Sequence, residues 1–159
     1  MCEFEIAVAD PADDEVRSLV ERHFEFGWSH SPPEDAHALD SDDLLDPSIT
    51  LFCFRSSDEL LAVGALKQLD ERHAELKTMH TAEHARRRGI GRAMLMHLLA
   101  VARERQFQRV SLETGSMDAF VPARALYASV GFAPCEPFGD YRLSPNSTYM
   151  TMTLTGDAD

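Results

Sequence analysis

Apolar and polar positions alternate at the start of the chain. Phe4, Ile6 and Val8 are separated by Glu5 and Ala7, a period of two that predicts a first strand. The period then lengthens. Val16, Leu19, Val20 and Phe24 recur at helical spacing, and Asp10-Pro11 ahead of them reads as an N-cap with proline in the first turn, so a helix is expected through about Phe26. Ser31-Pro32-Pro33 breaks the chain, and a short second helix is expected over residues 34–45. Residues 49–54 are a strand by composition, Ser56-Ser57-Asp58-Glu59 is a turn, and residues 60–69 form the hairpin partner, with Gly64 marking a bulge. His73–Thr81 reads as a further strand. Ile90, Met94, Leu98 and Val101 then share one side of a helix, and Leu95, Leu99 and Ala102 widen the stripe. A short strand over 109–113 follows, then a helix over 122–130 that ends at Gly131, a natural residue beyond a C-cap. Phe132 opens another strand, and residues 149–154 alternate as the last. The order β-α-α-β-β-β-α-β-α-β-β predicts a mixed α/β (α+β) domain. Its central sheet is mostly antiparallel, of about six or seven strands flanked by about four helices, rather than a doubly wound parallel sheet.

With 159 residues and 44% hydrophobic composition, the chain is one domain's worth and can bury a core, so a single domain is expected over 1–159, with residues 155–159 as a frayed tail. No apolar run approaches the length of a membrane span, and the acidic N-terminus lacks the basic-then-apolar order of a secretory signal. Cys2, Cys53 and Cys135 fit neither a disulfide framework nor a zinc pattern, which makes a reduced, cytoplasmic setting the simplest expectation. The formal net charge of -12 argues against nucleic-acid and membrane partners and is compatible with a cationic substrate. The acidic run Asp40-Ser41-Asp42-Asp43 reads as a solvated turn or helix start.

Against this acidic background, Arg86-Arg87-Arg88-Gly89-Ile90-Gly91-Arg92 stands out: four arginines within seven residues, where a strand gives way to a helix. Basic side chains at a helix N-terminus oppose the helix dipole, so they need another reason to be there. Glycines let a large anion approach the backbone, and the first N–H groups of a helix have no partner within it, so the segment reads as a cradle for a pyrophosphate, with arginines suited to further phosphates. The spacing excludes the known phosphate loops. No Gly-x-x-x-x-Gly-Lys occurs, and Met94 stands where a dinucleotide fingerprint needs a third glycine or alanine.

Arg86-x-x-Gly89-x-Gly91 resembles the Arg/Gln-x-x-Gly-x-Gly/Ala signature of the GNAT superfamily of N-acetyltransferases. The strand His73–Thr81 just ahead is similar to the family's fourth strand. Tyr127-Ala128-Ser129-Val130-Gly131-Phe132, about 40 residues downstream, is similar to its Tyr-x-x-x-Gly-Phe segment, and the element order agrees from Phe4 to Leu154. The resemblance implies an acetyl-CoA-dependent N-acetyltransferase that needs no metal and transfers acetyl to a primary amine of a small molecule in a ternary complex. The pantetheine would run along the backbone of Met79, His80 and Thr81. The pyrophosphate would sit on the turn formed by Arg86, Arg87, Arg88, Gly89, Ile90, Gly91 and Arg92. A backbone N–H near Met79 or His80 would polarise the thioester carbonyl.

By the same resemblance Tyr127 is the general acid for the departing thiolate, and Glu75 stands where many members carry a general base. Simple alternation puts His73, Glu75, Lys77, Met79 and Thr81 on one side of their strand and His80 on the other, so His80 and His84 rank behind Glu75 as bases. The bland alternatives are a core tyrosine and a solvated strand glutamate. Phe120 departs from the family by standing where many members have asparagine, seven residues before the tyrosine. Phe138, Asp140 and Tyr141 are candidate walls of the acceptor pocket, with Trp28 opposite. A cluster of His80, Glu83 and His84 as a metal site, and Cys135 as an acyl-carrying nucleophile, are the weaker alternatives. A protein or peptide acceptor, a non-catalytic acyl-CoA-binding module and a homodimer through a sheet edge stay open.

Overall fold

In a computed structural model, residues 4–30, 44–139 and 141–154 are described. The chain runs β1 (Phe4–Val8), α1 (Asp14–His30), β2 (Ile49–Ser56), β3 (Glu59–Gln68), β4 (His73–Thr81), α2 (Ile90–Glu104), β5 (Arg109–Gly115), α3 (Val121–Val130), β6 (Ala133–Pro134) and β7 (Ser147–Thr153). The seven strands form one sheet in the order β1-β2-β3-β4-β5-β7-β6. Every neighbouring pair is antiparallel except β4 and β5. Among the described residues there are three α-helices where about four were expected. The expected second helix falls outside the described residues apart from Leu44 and Leu45, as does the expected frayed tail. No helix among the described residues is long and apolar enough to cross a membrane.

The first helix begins later than its proline suggests. Asp13, not Asp10, caps it: Asp13 Oδ1 accepts the backbone N–H groups of Glu15 at 3.0 Å and Val16 at 3.2 Å. Asp10 Oδ1 instead accepts from Ala12 N–H at 2.9 Å, which closes a local turn around Pro11. The helix also runs beyond Phe26 through Gly27 to His30, and proline first intervenes at Ser31-Pro32. α1 and α2 each pack against β3 and β4. β3 therefore loses its alternation, and residues 60–66 are all buried. On α2, Ile90, Met94, Leu95, Leu98, Leu99 and Ala102 are buried as the stripe predicted, with Val101 at its edge.

Two irregularities in β4 create the space that matters. First, Lys77 pairs with Ala65 and His80 with Val63, so Thr78 and Met79 together face Gly64. This is the bulge that Gly64 marked, and its cost is visible at Thr78, a buried β-branched residue with φ of 56°. Gly64 has no room for a side chain: a Cβ there would lie 2.9 Å from Met94 Cγ and 3.0 Å from both Leu98 Cδ1 and Met79 Sδ. Second, β4 pairs with β5 only from His73 to Glu75, opposite Arg109 to Ser111. Beyond that point the parallel strands part and leave a fork with one open backbone edge on each side.

Candidate active site

The fork opens into a cleft of about 700 Å³. Met79, His80 and Thr81 line it along β4, Arg86, Arg87, Gly89, Ile90, Gly91 and Arg92 at the mouth of α2, and Tyr127 from α3. Of the expected cofactor contacts, only Arg88 does not line it; its side chain is exposed elsewhere. The loop winds tightly into the helix, with φ of 66° at Arg87 and 78° at Gly89. Gly89 is the N-cap residue and supplies no side chain, so the N–H groups of the first turn of α2 are left to the cleft. Arg86 Nε donates to the Thr81 carbonyl at 3.3 Å, and Arg92 Nη2 to Ser129 Oγ at 2.6 Å; these bonds tie the loop to β4 and to α3.

Gly91 is informative in a different way. Within a helix, glycine costs about 1 kcal/mol relative to alanine. Neither a positive φ nor crowding explains it: a Cβ there would meet Thr81 Oγ1 at 3.5 Å and Leu126 Cδ2 at 3.6 Å, which is ordinary contact. A Cβ on Gly89 would meet nothing within 4 Å. The left-handed φ of Gly89 accounts for a glycine there, whereas nothing in the protein's own backbone or packing requires Gly91 to be bare.

Tyr127 is 8% exposed and packs edge-on against Phe132 at 5.9 Å. Burial, reinforced by the charge of Glu113, pushes its hydroxyl up to about 12, so it is a phenol at neutral pH. Glu75, expected to face the cleft, is 3% exposed and is not among the residues lining it. Its Oε2 accepts from Tyr141 OH at 2.6 Å and from Lys77 Nζ at 3.1 Å, and Lys77 Nζ also donates to Tyr141 OH at 3.2 Å. Burial and the Glu75 carboxylate hold the Tyr141 hydroxyl far above its ordinary range. Lys77, rather than Glu75, reaches the cleft.

The bulge corrects the expected sidedness of β4. Because His80 pairs with Val63 and Lys77 with Ala65, His80 lies on the same side as Lys77 and Glu75, while Met79 turns toward Gly64 and α2. There His80 meets His23 of α1, with Nδ1 atoms 3.4 Å apart. His23 had not been singled out, although it continues the apolar stripe three residues after Val20, and a histidine on a buried helix face is a visible signal. Lys77, Glu113, Phe26 and Phe120 also line the cleft, none of them a predicted site residue. Phe26 and Phe120, both lining the cleft, meet edge to face at 5.5 Å. Gly115 makes room for Phe120: a Cβ there would lie 2.3 Å from its ring.

The remaining candidates lie apart. His84 Nε2 is 2.9 Å from Glu59 Oε2, outside the cleft. Burial pushes the Cys135 thiol up, away from the thiolate that a nucleophile needs. Phe138, Tyr141 and Tyr149 form an aromatic group beside the Glu75–Lys77 pair rather than lining the cleft. The expectations for Asp140 and for the Trp28 side chain fall outside the described residues.

A mixed sheet splayed at a parallel pair, with an arginine- and glycine-bearing turn opening a helix at the split, defines a class of acyl-transferring proteins. The sequence profile of the acetyltransferase (GNAT) family matches residues 14–132. The chain is 46% identical over 149 residues to the uncharacterized N-acetyltransferase YsnE of Bacillus subtilis (strain 168), covering 94% of this chain and 99% of that protein. It is 43% identical over 151 residues to the uncharacterized N-acetyltransferase YedL of Escherichia coli (strain K12), covering 95% of each. Its fold is shared by a GNAT family acetyltransferase from Elizabethkingia anophelis solved with acetyl-CoA bound. That structure has a TM-score of 0.70 and 18% identity, covering 95% of this chain and 98% of the other. The chain therefore belongs to the GNAT family and is an acetyl-CoA-dependent acyltransferase.

Proposed function

We propose that the cleft takes acetyl-CoA and a small primary amine together, and that the amine attacks the thioester directly. The observation that carries this reading is Gly91, which weakens the first turn of α2 without any demand from the protein's packing. A ligand pressed against the backbone supplies that demand. A pyrophosphate fits the chemistry offered: N–H groups at a helix mouth with Arg86, Arg87 and Arg92 beside them. The pantetheine then follows the open edge of β4 past Thr81, His80 and Met79, and a backbone N–H near the bulge takes the charge developing on the thioester oxygen. Tyr127, kept protonated by burial, donates to the departing thiolate. The aromatic pair of Phe26 and Phe120 in the cleft wall supports a small acceptor over an extended peptide, and the net charge of -12 is compatible with a cationic one.

The four arginines make the test internal. Isothermal titration with coenzyme A is expected to show saturable uptake by the wild type, a loss of at least tenfold in affinity for Arg87→Glu, and little change for Arg88→Glu, whose side chain lies outside the cleft. No uptake by the wild type, or equal losses in both variants, overturns the cradle. Free-thiol release with a panel of small amines then tests transfer itself.

A further inference from the structure

α1 and β4 bring two imidazoles together inside the cleft. The rings of His23 and His80 meet at 73° with centroids 5.3 Å apart, and their Nδ1 atoms are 3.4 Å apart. Both line the cleft and both keep part of their surface open to solvent. Burial is the largest cause that lowers both, His23 to about 3 and His80 to about 4. The neighbouring charges act in the same direction: His80 and Lys77 on His23, Arg86 and Arg22 on His80. Both rings are neutral at pH 7.

Two neutral imidazoles joined through Nδ1 atoms have constrained chemistry. One Nδ1 carries the hydrogen and the other is bare. The ring that donates therefore has a bare Nε2, and the ring that accepts has an Nε2–H. Whichever way the shared proton lies, the pair presents one basic nitrogen and one N–H donor. A proton taken up at the bare Nε2 can be matched by transfer of the shared proton and loss of the other Nε2–H to water. Neither ring need persist as an imidazolium, the form that burial and the surrounding cations penalise.

We propose that His23 and His80 together are the base of acetyl transfer, passing the amine proton to water by a two-ring relay. The inference rests on the acetyltransferase reading of the cleft. As the amine nitrogen bonds to the thioester carbon, the carbonyl π pair moves to oxygen. The N–H pair stays on nitrogen while its proton passes to the bare Nε2 of His80. The Nδ1–H of His80 moves to Nδ1 of His23, and the Nε2–H of His23 goes to water. The oxyanion pair then re-forms the carbonyl, and the C–S bond breaks with its electrons leaving on sulfur. The thiolate takes the proton of Tyr127, and water restores the phenol. One proton leaves to solvent and one returns, so neutral amine and thioester give amide and thiol. Exchange with water at the two Nε2 atoms resets the tautomers. His80 is placed first because β4 is the strand proposed to hold the thioester. A separation of 3.4 Å is long for a hydrogen bond, and such contacts tighten when substrate binds. Glu75 leaves this role open, since Lys77 and Tyr141 occupy its Oε2.

The test compares wild type, His80→Gln, His23→Gln and the double variant with an amine that the wild type acetylates. Each single substitution is expected to lower kcat about 100-fold, the low end for general-base catalysis. The double is expected to be no slower than the slower single, because either substitution breaks the same relay. Coenzyme A affinity by calorimetry should stay within about twofold in all three, since His80 would meet the pantetheine through its backbone, which glutamine keeps, and neither ring belongs to the pyrophosphate cradle. In mixtures of light and heavy water the wild-type rate should curve as two protons in flight require, a readout that needs no variant. Multiplicative losses, His23→Gln at full rate, or a linear dependence on deuterium content overturns the relay and leaves the transferase reading standing. A wild type that binds coenzyme A and releases no thiol with any amine overturns both.

Discussion

Burial decides the chemistry of single side chains in this cleft. Tyr127 sits on α3, buried against Phe132, so its proton is held firmly. Tyr127→Phe keeps the packing and removes the acid. Turnover is expected to fall about 100-fold, within the usual range for such a group, with coenzyme A affinity unchanged. Equal turnover in steady-state assays would remove Tyr127 from the mechanism. The histidines make a second case, and here stability is the readout. Their folded-state values lie near 3 and 4, below the 6.5 of the unfolded chain. Below about pH 6.5 the unfolded state takes up protons that the folded state refuses, so the stabilisation is complete above 6.5 and falls as the pH drops toward 4. Each such histidine contributes a slope that starts at about half its limit at pH 6.5 and approaches roughly 1 kcal/mol of lost stability per pH unit lower in that window. Urea unfolding between pH 6.5 and 5, above the ordinary carboxylate range, should show this slope, and His80→Gln should reduce it. His73 and His97, also lowered by burial, act in the same direction in both proteins.

At the scale of elements, β4 carries the lesson. Its span was read from the sequence without error, because alternation and flanking turns are local signals. Its sidedness was not. One extra residue opposite Gly64 reverses every side chain beyond it, which moves His80 to the α1 side and Met79 to the α2 side. Gly64 was marked as a bulge, but its partner on β4, and hence the point of reversal, depends on a strand pairing that no local pattern encodes. Gly64→Ala tests the bulge: the new methyl would press on Met94, Leu98 and Met79, and a loss of about 1–3 kcal/mol in urea unfolding is expected. An unchanged midpoint would mean that the neighbouring methionines yield freely. The first helix gives the same contrast. Its apolar stripe was legible, while the choice between Asp10 and Asp13 as cap rested on which aspartate was already engaged in a turn.

The whole molecule sets a basic cleft into an acidic body. Arg86, Arg87 and Arg92 gather at the mouth of α2 in a chain of net charge -12, so an anionic carrier meets a local field opposite to the global one. The sequence by itself determined the order of the described strands and helices, the apolar faces of α1 and α2, the turn from Arg86 to Arg92 and the family. Each of these is written in neighbours a few residues apart, where periodicity and helix-end chemistry act. Only the tertiary structure decided which titratable side chains meet. His23 reaches His80 across 57 residues, and Glu75 is occupied by Tyr141 across 66. Such contacts depend on strand register, on the splaying of β4 from β5 and on which helix covers which face, and those follow from packing the chain as a whole.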